Sequence, residues 1–120
     1  MDIRTVAVIG AGTMGAGIAQ VCAQTGWQTR LYDAFPEGLE KGMNTIDDFW
    51  EKGIARGKTT QQEKDKWLTN ISQLTDLKEA VDGVDIVIEA VPENMELKQK
   101  IFSQLEQIAP SHALLATNTS

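Results

Sequence analysis

The stretch from Thr5 to Asp33 constrains this chain most. Val6, Ala7, Val8 and Ile9 form a short apolar, largely β-branched run, as expected of a strand buried on both faces. Gly10-Ala11-Gly12-Thr13-Met14-Gly15 follows at once. Apolar residues then recur at Met14, Ile18, Val21 and Cys22, the stripe of a helix lying on a sheet. After Thr25-Gly26, Leu31 and Tyr32 lead to an acid, Asp33. The order is strand, glycine turn, helix, strand, acid.

Each glycine answers a separate steric demand. Gly10 permits a tight turn out of the strand, Gly12 lets a phosphate approach the backbone, and Gly15 lets the helix lie close to the strand. Ala19, one turn later, is small for the same reason. A pyrophosphate placed at the helix start would meet free N–H groups and the positive end of the helix dipole. Asp33 follows at roughly 20 residues, where a carboxylate can accept from both ribose hydroxyls and repel a 2′-phosphate. The pattern therefore points to NAD in preference to NADP. The plainer alternatives are a glycine-rich turn in an ordinary α/β protein and a solvated acid at a strand end. The strand before the glycines and the helix after them are the context that the motif requires.

The chain has 120 residues, enough for one domain with a core. Its 42% apolar and 23% charged residues suit a globular protein. Net charge is −6, which argues against a nucleic-acid or anionic membrane surface. No apolar run reaches membrane-spanning length. No signal peptide is expected, since Asp2 and Arg4 lead straight into a strand. A single cysteine, Cys22, fits a reducing cytoplasm and a packing role, and no metal site is expected.

Beyond Asp33, Phe35-Pro36-Glu37 opens a helix whose Leu39, Met43, Ile46, Phe49 and Trp50 recur at helical spacing as far as Gly53. Arg56-Gly57-Lys58 reads as a turn, and Thr60 to Glu63 as a capping box that starts a second helix through Leu68. This helical pair is expected to project from the sheet edge as an insertion. Its Trp and Phe residues are assigned to packing, and Lys41, Lys52, Arg56 and Lys58 to solvated positions. Asn70 to Leu74 reads as a strand, and Asp76 to Glu79 as a capped helical turn ended by Gly83. Asp85 to Val91 is a fourth strand broken by Pro92. Leu97, Ile101, Leu105 and Ile108 mark a long helix before Pro110, and Ala113 to Ala116 a fifth strand.

This alternation implies an α/β fold of Rossmann type, a doubly wound parallel sheet ordered 3-2-1-4-5. The glycine turn, Asp33, Pro92-Glu93-Asn94 and Asn118-Thr119-Ser120 then all follow carboxyl ends of strands. Ligands bind along that edge, at the switch point between strands one and four.

Three stretches carry a family resemblance. Val6-Ala-Val-Ile-Gly-Ala-Gly-Thr-Met-Gly-Ala-Gly-Ile-Ala-Gln20, Ile88-Glu-Ala-Val-Pro-Glu-Asn-Met-Glu-Leu-Lys98 and Ala116-Thr-Asn-Thr-Ser120 resemble the NAD-binding domain of the L-3-hydroxyacyl-CoA dehydrogenases, the 3-hydroxybutyryl-CoA type above all. The resemblance spans the whole chain, residues 1–120, as one dinucleotide-binding domain. It implies that Gly10, Gly12 and Gly15, with the N–H groups around Thr13 and Met14, hold the pyrophosphate, and that Asp33 holds the adenosine ribose. Ala90, Val91, Glu93 and Lys98 fall in the stretch that approaches the nicotinamide half, and Asn118 beside its ribose. Ser120 matches the family's active-site serine, a hydrogen-bond donor to the substrate's 3-oxygen and not a nucleophile. Thr45 and Lys52 align with contacts to the CoA tail.

The reaction implied is reversible hydride transfer between C3 of a 3-hydroxyacyl-CoA and NAD, in fatty acid metabolism. The family's base is a histidine paired with a glutamate, well after the Asn-Thr-Ser stretch. His112 precedes the fifth strand and is read as a surface residue. The expectation is a cofactor-binding domain whose C-terminal helical partner, source of the base, acyl pocket and homodimer contact, is absent from this sequence. Such a domain binds NAD but turns over poorly. The competing readings are a dehydrogenase of another 3-hydroxy acid and a nucleotide-binding module without chemistry.

Overall fold

The structure is a computed structural model and describes residues 4–90, 103 and 114–117. In chain order it contains β1 (Thr5–Ile9), α1 (Thr13–Thr25), β2 (Gln28–Tyr32), α2 (Pro36–Ala55), α3 (Gln61–Leu68), β3 (Ile71–Leu74), α4 (Leu77–Val81), β4 (Ile86–Glu89) and β5 (Leu114–Thr117). The strands form one sheet in the order β3-β2-β1-β4-β5, with every pairing parallel. The helix expected over 97–108 and His112 lie outside the described residues.

β1 sits at the centre and is buried on both faces, which its uninterrupted apolar run requires. Its alternate side chains serve two cores. Val6 and Val8 join Leu31 under α1 and α2, while Ala7 and Ile9 join Val87 against Leu77, Ala80, Val81 and Val84 around α4. On that second face the Arg30 guanidinium donates to the carbonyl oxygens of Glu79 and Asp82 and so closes the C-terminal end of α4.

The packing face of α1 matches the expected stripe at Cys22 and Ile18 but not at Met14 or Val21. Gly15, Ala16, Ala19, Cys22 and Ala23 face the sheet, whereas Met14 is 45% and Val21 61% exposed. Small side chains bring the helix axis close to the strands, and the larger apolar residues are turned outward as a result. Cys22 is buried among them, and burial pushes its thiol pKa up, as suits packing and not nucleophilic chemistry.

Two helices do connect β2 to β3, but α2 lies along α1 and does not stand clear of the sheet. Leu39, Ile46 and Trp50 close over α1 within the same core, and Trp67 of α3 packs on Trp50 with ring centroids 5.4 Å apart. Phe49, expected to pack, is 58% exposed. It sits one residue from Trp50, about 100° round a helix whose inner face is already taken. The Thr60–Glu63 capping box opens α3 in both directions, as the sequence pattern requires.

Candidate functional site

The register of the sheet builds the site. The last residues of the five strands, Leu74, Tyr32, Ile9, Glu89 and Thr117, pair directly across the sheet and lie in one row. The ladder continues one residue further. Gly10 donates to the Tyr32 carbonyl at 2.8 Å, Asp33 to Leu74 at 3.2 Å, and Ala90 to Ile9 at 2.8 Å. Gly10, Asp33 and Ala90 therefore leave the sheet at the same height, side by side.

The glycine turn has the shape its residues dictate. Gly10 adopts φ 108°, a conformation that L side chains rarely reach. A Cβ on Gly15 would lie 1.7 Å from the Gly10 carbonyl oxygen, so only glycine lets α1 start this close to β1. Gly12 is the N-cap of α1 and contributes no side-chain cap, and the first turn carries no acid. The first N–H groups of the helix have no partner within the helix itself and, with the dipole, form an anion-binding end. A Cβ on Gly12 would meet nothing within 4 Å, so its Cα borders open space where a phosphate bridge could rest.

Asp33 is tied to that turn. Its Oδ2 accepts from the Ala11 N–H at 3.1 Å and its Oδ1 from the Phe35 N–H at 3.0 Å. A carboxylate offers about four acceptor positions, so each oxygen keeps one for a ribose hydroxyl. The site therefore fits a dinucleotide on three independent counts: an uncapped helix end, open space at Gly12, and an oriented acid beside it.

The backbone roles of Ala11 and Phe35 were not apparent from the motif. Nor was the part played by α2, whose Gly38 approaches the Asp33 carboxylate and whose Gly42 approaches Ala11. Two glycines four apart inside a helix were the available signal for such close approach.

Of the residues aligned with CoA contacts, Thr45 and Lys52 both lie on the exposed side of α2. The Thr45 hydroxyl donates to the Lys41 carbonyl at 3.0 Å, and Lys52 pairs with Asp48 at 2.9 Å. Lys41, Arg56 and Lys58 are exposed, as expected. Val91, Glu93, Lys98, Asn118 and Ser120 lie outside the described residues. Among the described residues no cluster could hold a metal ion, and no helix is long and apolar enough to cross a membrane.

A parallel sheet in this order, with a glycine turn at its switch point and an acid at the end of the neighbouring strand, defines a dinucleotide-binding domain. Residues 5–120 match the family model described as "3-hydroxyacyl-CoA dehydrogenase, NAD binding domain", and the chain belongs to that family. NAD is the cofactor of the family. The chain is 42% identical over its whole length to the probable 3-hydroxybutyryl-CoA dehydrogenase of Bacillus subtilis, of which it covers 42%. It is also 42% identical to the 3-hydroxyadipyl-CoA dehydrogenase of Escherichia coli, of which it covers 25%. Among solved structures, the 3-hydroxybutyryl-CoA dehydrogenase of E. coli K12 superposes with a TM-score of 0.93 at 41% identity, covering all of this chain and 25% of that one. The (S)-3-hydroxybutyryl-CoA dehydrogenase of Ralstonia eutropha gives 0.94 at 39% identity, covering 99% of this chain and 42% of that one. The chain thus spans between a quarter and about two fifths of the length of these relatives.

Proposed function

We propose that this domain binds NAD with its pyrophosphate on the N–H groups of Thr13 and Met14, in the space bounded by Gly10, Gly12 and Gly15. Asp33 holds the adenosine ribose. Ala90, Val91, Glu93 and Lys98 flank the nicotinamide half, and Asn118 its ribose. The observation that carries this reading is the bonding of Asp33 to the Ala11 N–H, which fixes the distance between acid and glycine turn.

In the whole protein the reaction is reversible oxidation of a 3-hydroxyacyl-CoA, with 3-hydroxybutyryl-CoA as the substrate we favour. NAD held by Gly10, Gly12, Gly15 and Asp33 would supply the hydride acceptor and donor for C3. Ser120 donates a hydrogen bond to the 3-oxygen and stabilises charge there. Thr45 and Lys52 contact the CoA tail, for which Lys52 must exchange its exposed pairing with Asp48. A histidine–glutamate pair outside this stretch takes the hydroxyl proton, and the same region supplies the acyl pocket and a homodimer contact. The single cysteine and acidic charge support a cytoplasmic protein that binds neither nucleic acid nor membrane.

Calorimetric titration tests the cofactor half. NAD should bind well ahead of NADP, and Asp33→Ala should remove the preference; equal binding of both by the native chain contradicts the reading. Mixing the 120-residue chain with NAD and 3-hydroxybutyryl-CoA should yield little NADH. Full turnover would mean that the base lies within it.

A further inference from the structure

Among the described residues, the largest exposed apolar side chain at the ligand edge belongs to Phe35. Its side chain is 69% exposed, although the core on the α1 side accepts rings as large as Trp50. It stands two residues past Asp33, between the end of β2 and the first turn of α2. Its backbone is held from two sides. The N–H donates to Asp33 Oδ1 at 3.0 Å, and Pro36 at the start of α2 restricts it to the extended region, where it is found at φ −115° and ψ 127°. An exposed aromatic residue on the rim, its backbone fixed and its own amide bonded to the acid proposed to hold a ribose, is placed for what that ribose carries.

We infer that Phe35 is the stacking platform for the adenine base of the dinucleotide, and that it sets the domain's preference for adenine nucleotides over the nicotinamide half alone. The inference rests on the NAD reading above and assigns a residue that the glycine–acid motif does not include. Every base offers a π-face, and an aromatic ring covering it loses exposed apolar surface on binding. The mount is held by bonds within the chain itself, which lowers the ordering cost of binding the base.

Titration of the 120-residue chain tests this with NAD, ADP-ribose and nicotinamide mononucleotide as probes. Phe35→Ala should weaken NAD and ADP-ribose about tenfold, the scale of one lost base–aromatic stack, and leave the mononucleotide unchanged. Phe35→Tyr keeps the ring and should bind NAD as the native chain does. The adenine H2 and H8 resonances of bound NAD should carry an upfield ring-current shift in the native chain that disappears in Phe35→Ala. Native-like NAD binding by Phe35→Ala overturns the inference and leaves the NAD reading standing. Equal weakening toward all three probes, or a Phe35→Tyr as weak as Phe35→Ala, also overturns it. A native chain that binds no NAD removes both.

Discussion

A methyl group built on Gly42 would lie 2.6 Å from the carbonyl oxygen of Ala11 and 3.1 Å from its Cβ. The second turn of α2 therefore rests on the backbone of the glycine turn, and Ala11 is buried beneath it. The helix that follows β2 is thus part of the floor of the site and not an appendage. A carbonyl oxygen in a tight turn cannot move aside as a flexible side chain can, so any added bulk must lift the helix or deform the turn. Gly42→Val should cost about 1–3 kcal/mol of stability, the usual scale of overpacking. It should also weaken NAD about tenfold, since the turn's N–H groups lose their alignment. Urea unfolding and titration of the same preparation measure the two effects.

Gly12 and Gly15 stand three residues apart and predict opposite outcomes. A Cβ on Gly15 collides with the Gly10 carbonyl, whereas one on Gly12 enters open space. Gly15→Ala should therefore damage the fold itself, by more than about 3 kcal/mol, because β1 and α1 must separate at the centre of the core. Gly12→Ala should lower stability by less than about 1 kcal/mol, the difference between the two residues at an N-cap. Its added methyl would occupy space that the pyrophosphate needs, so NAD binding should fall about tenfold or more. Thermal unfolding and NAD titration of both variants separate a folding glycine from a ligand glycine.

The parts of this arrangement that could be read from sequence are those set by neighbours along the chain. The Val6–Ile9 run, the spacing of the glycines and the capping box at Thr60 are all local, and the strand order follows once β and α alternate. On α1 the expected packing of Gly15, Ala19, Cys22 and Ile18 holds and that of Met14 and Val21 does not, because residue size, and not hydrophobicity alone, decides which side meets a sheet at close range. Gly15, Ala16, Ala19 and Ala23 win that place over Met14 and Val21. The bond of Asp33 to Phe35, two residues on, is a local turn, whereas the support of Ala11 by Gly42 depends on where α2 lands. Gly38 and Gly42, four apart, mark a face of close approach, but which backbone that face meets is a property of the assembled core.

Trp50 joins the three helices on one side of the sheet. Its ring is buried, packs on Trp67, and donates its Nε1–H to Gln24 Oε1 on α1 at 3.1 Å. Trp50→Phe keeps an aromatic ring but loses the donor and part of the volume, for an expected cost of about 1–2 kcal/mol. Gln24→Ala in that background should add little, because the bond is already gone. Non-additivity of the two substitutions in a double-mutant cycle would measure the link between α1 and α2.

Lys64 carries the one cation among the described residues that the fold buries. Its ammonium lies 2.5 Å from Asp47 Oδ1 and pairs with Glu51 as well, fastening α3 to α2. Hydrogen bonds to Asp47 and Glu51 raise its pKa above the ordinary lysine value, against a smaller opposing effect of burial. The sign of the linkage follows. A pKa raised on folding contributes stability that is whole below the unfolded value, near 10.5, and is lost as pH climbs through the folded value. Lys64→Met keeps most of the apolar stem and removes the charge, so it should melt below the native chain at pH 8. The gap between the two melting curves should narrow as pH rises above about 10.5 and stay constant between pH 7 and 9. A gap that does not change up to pH 11.5 would mean that the ammonium contributes nothing beyond its stem, and that α3 is held by Trp67 and Leu68 alone.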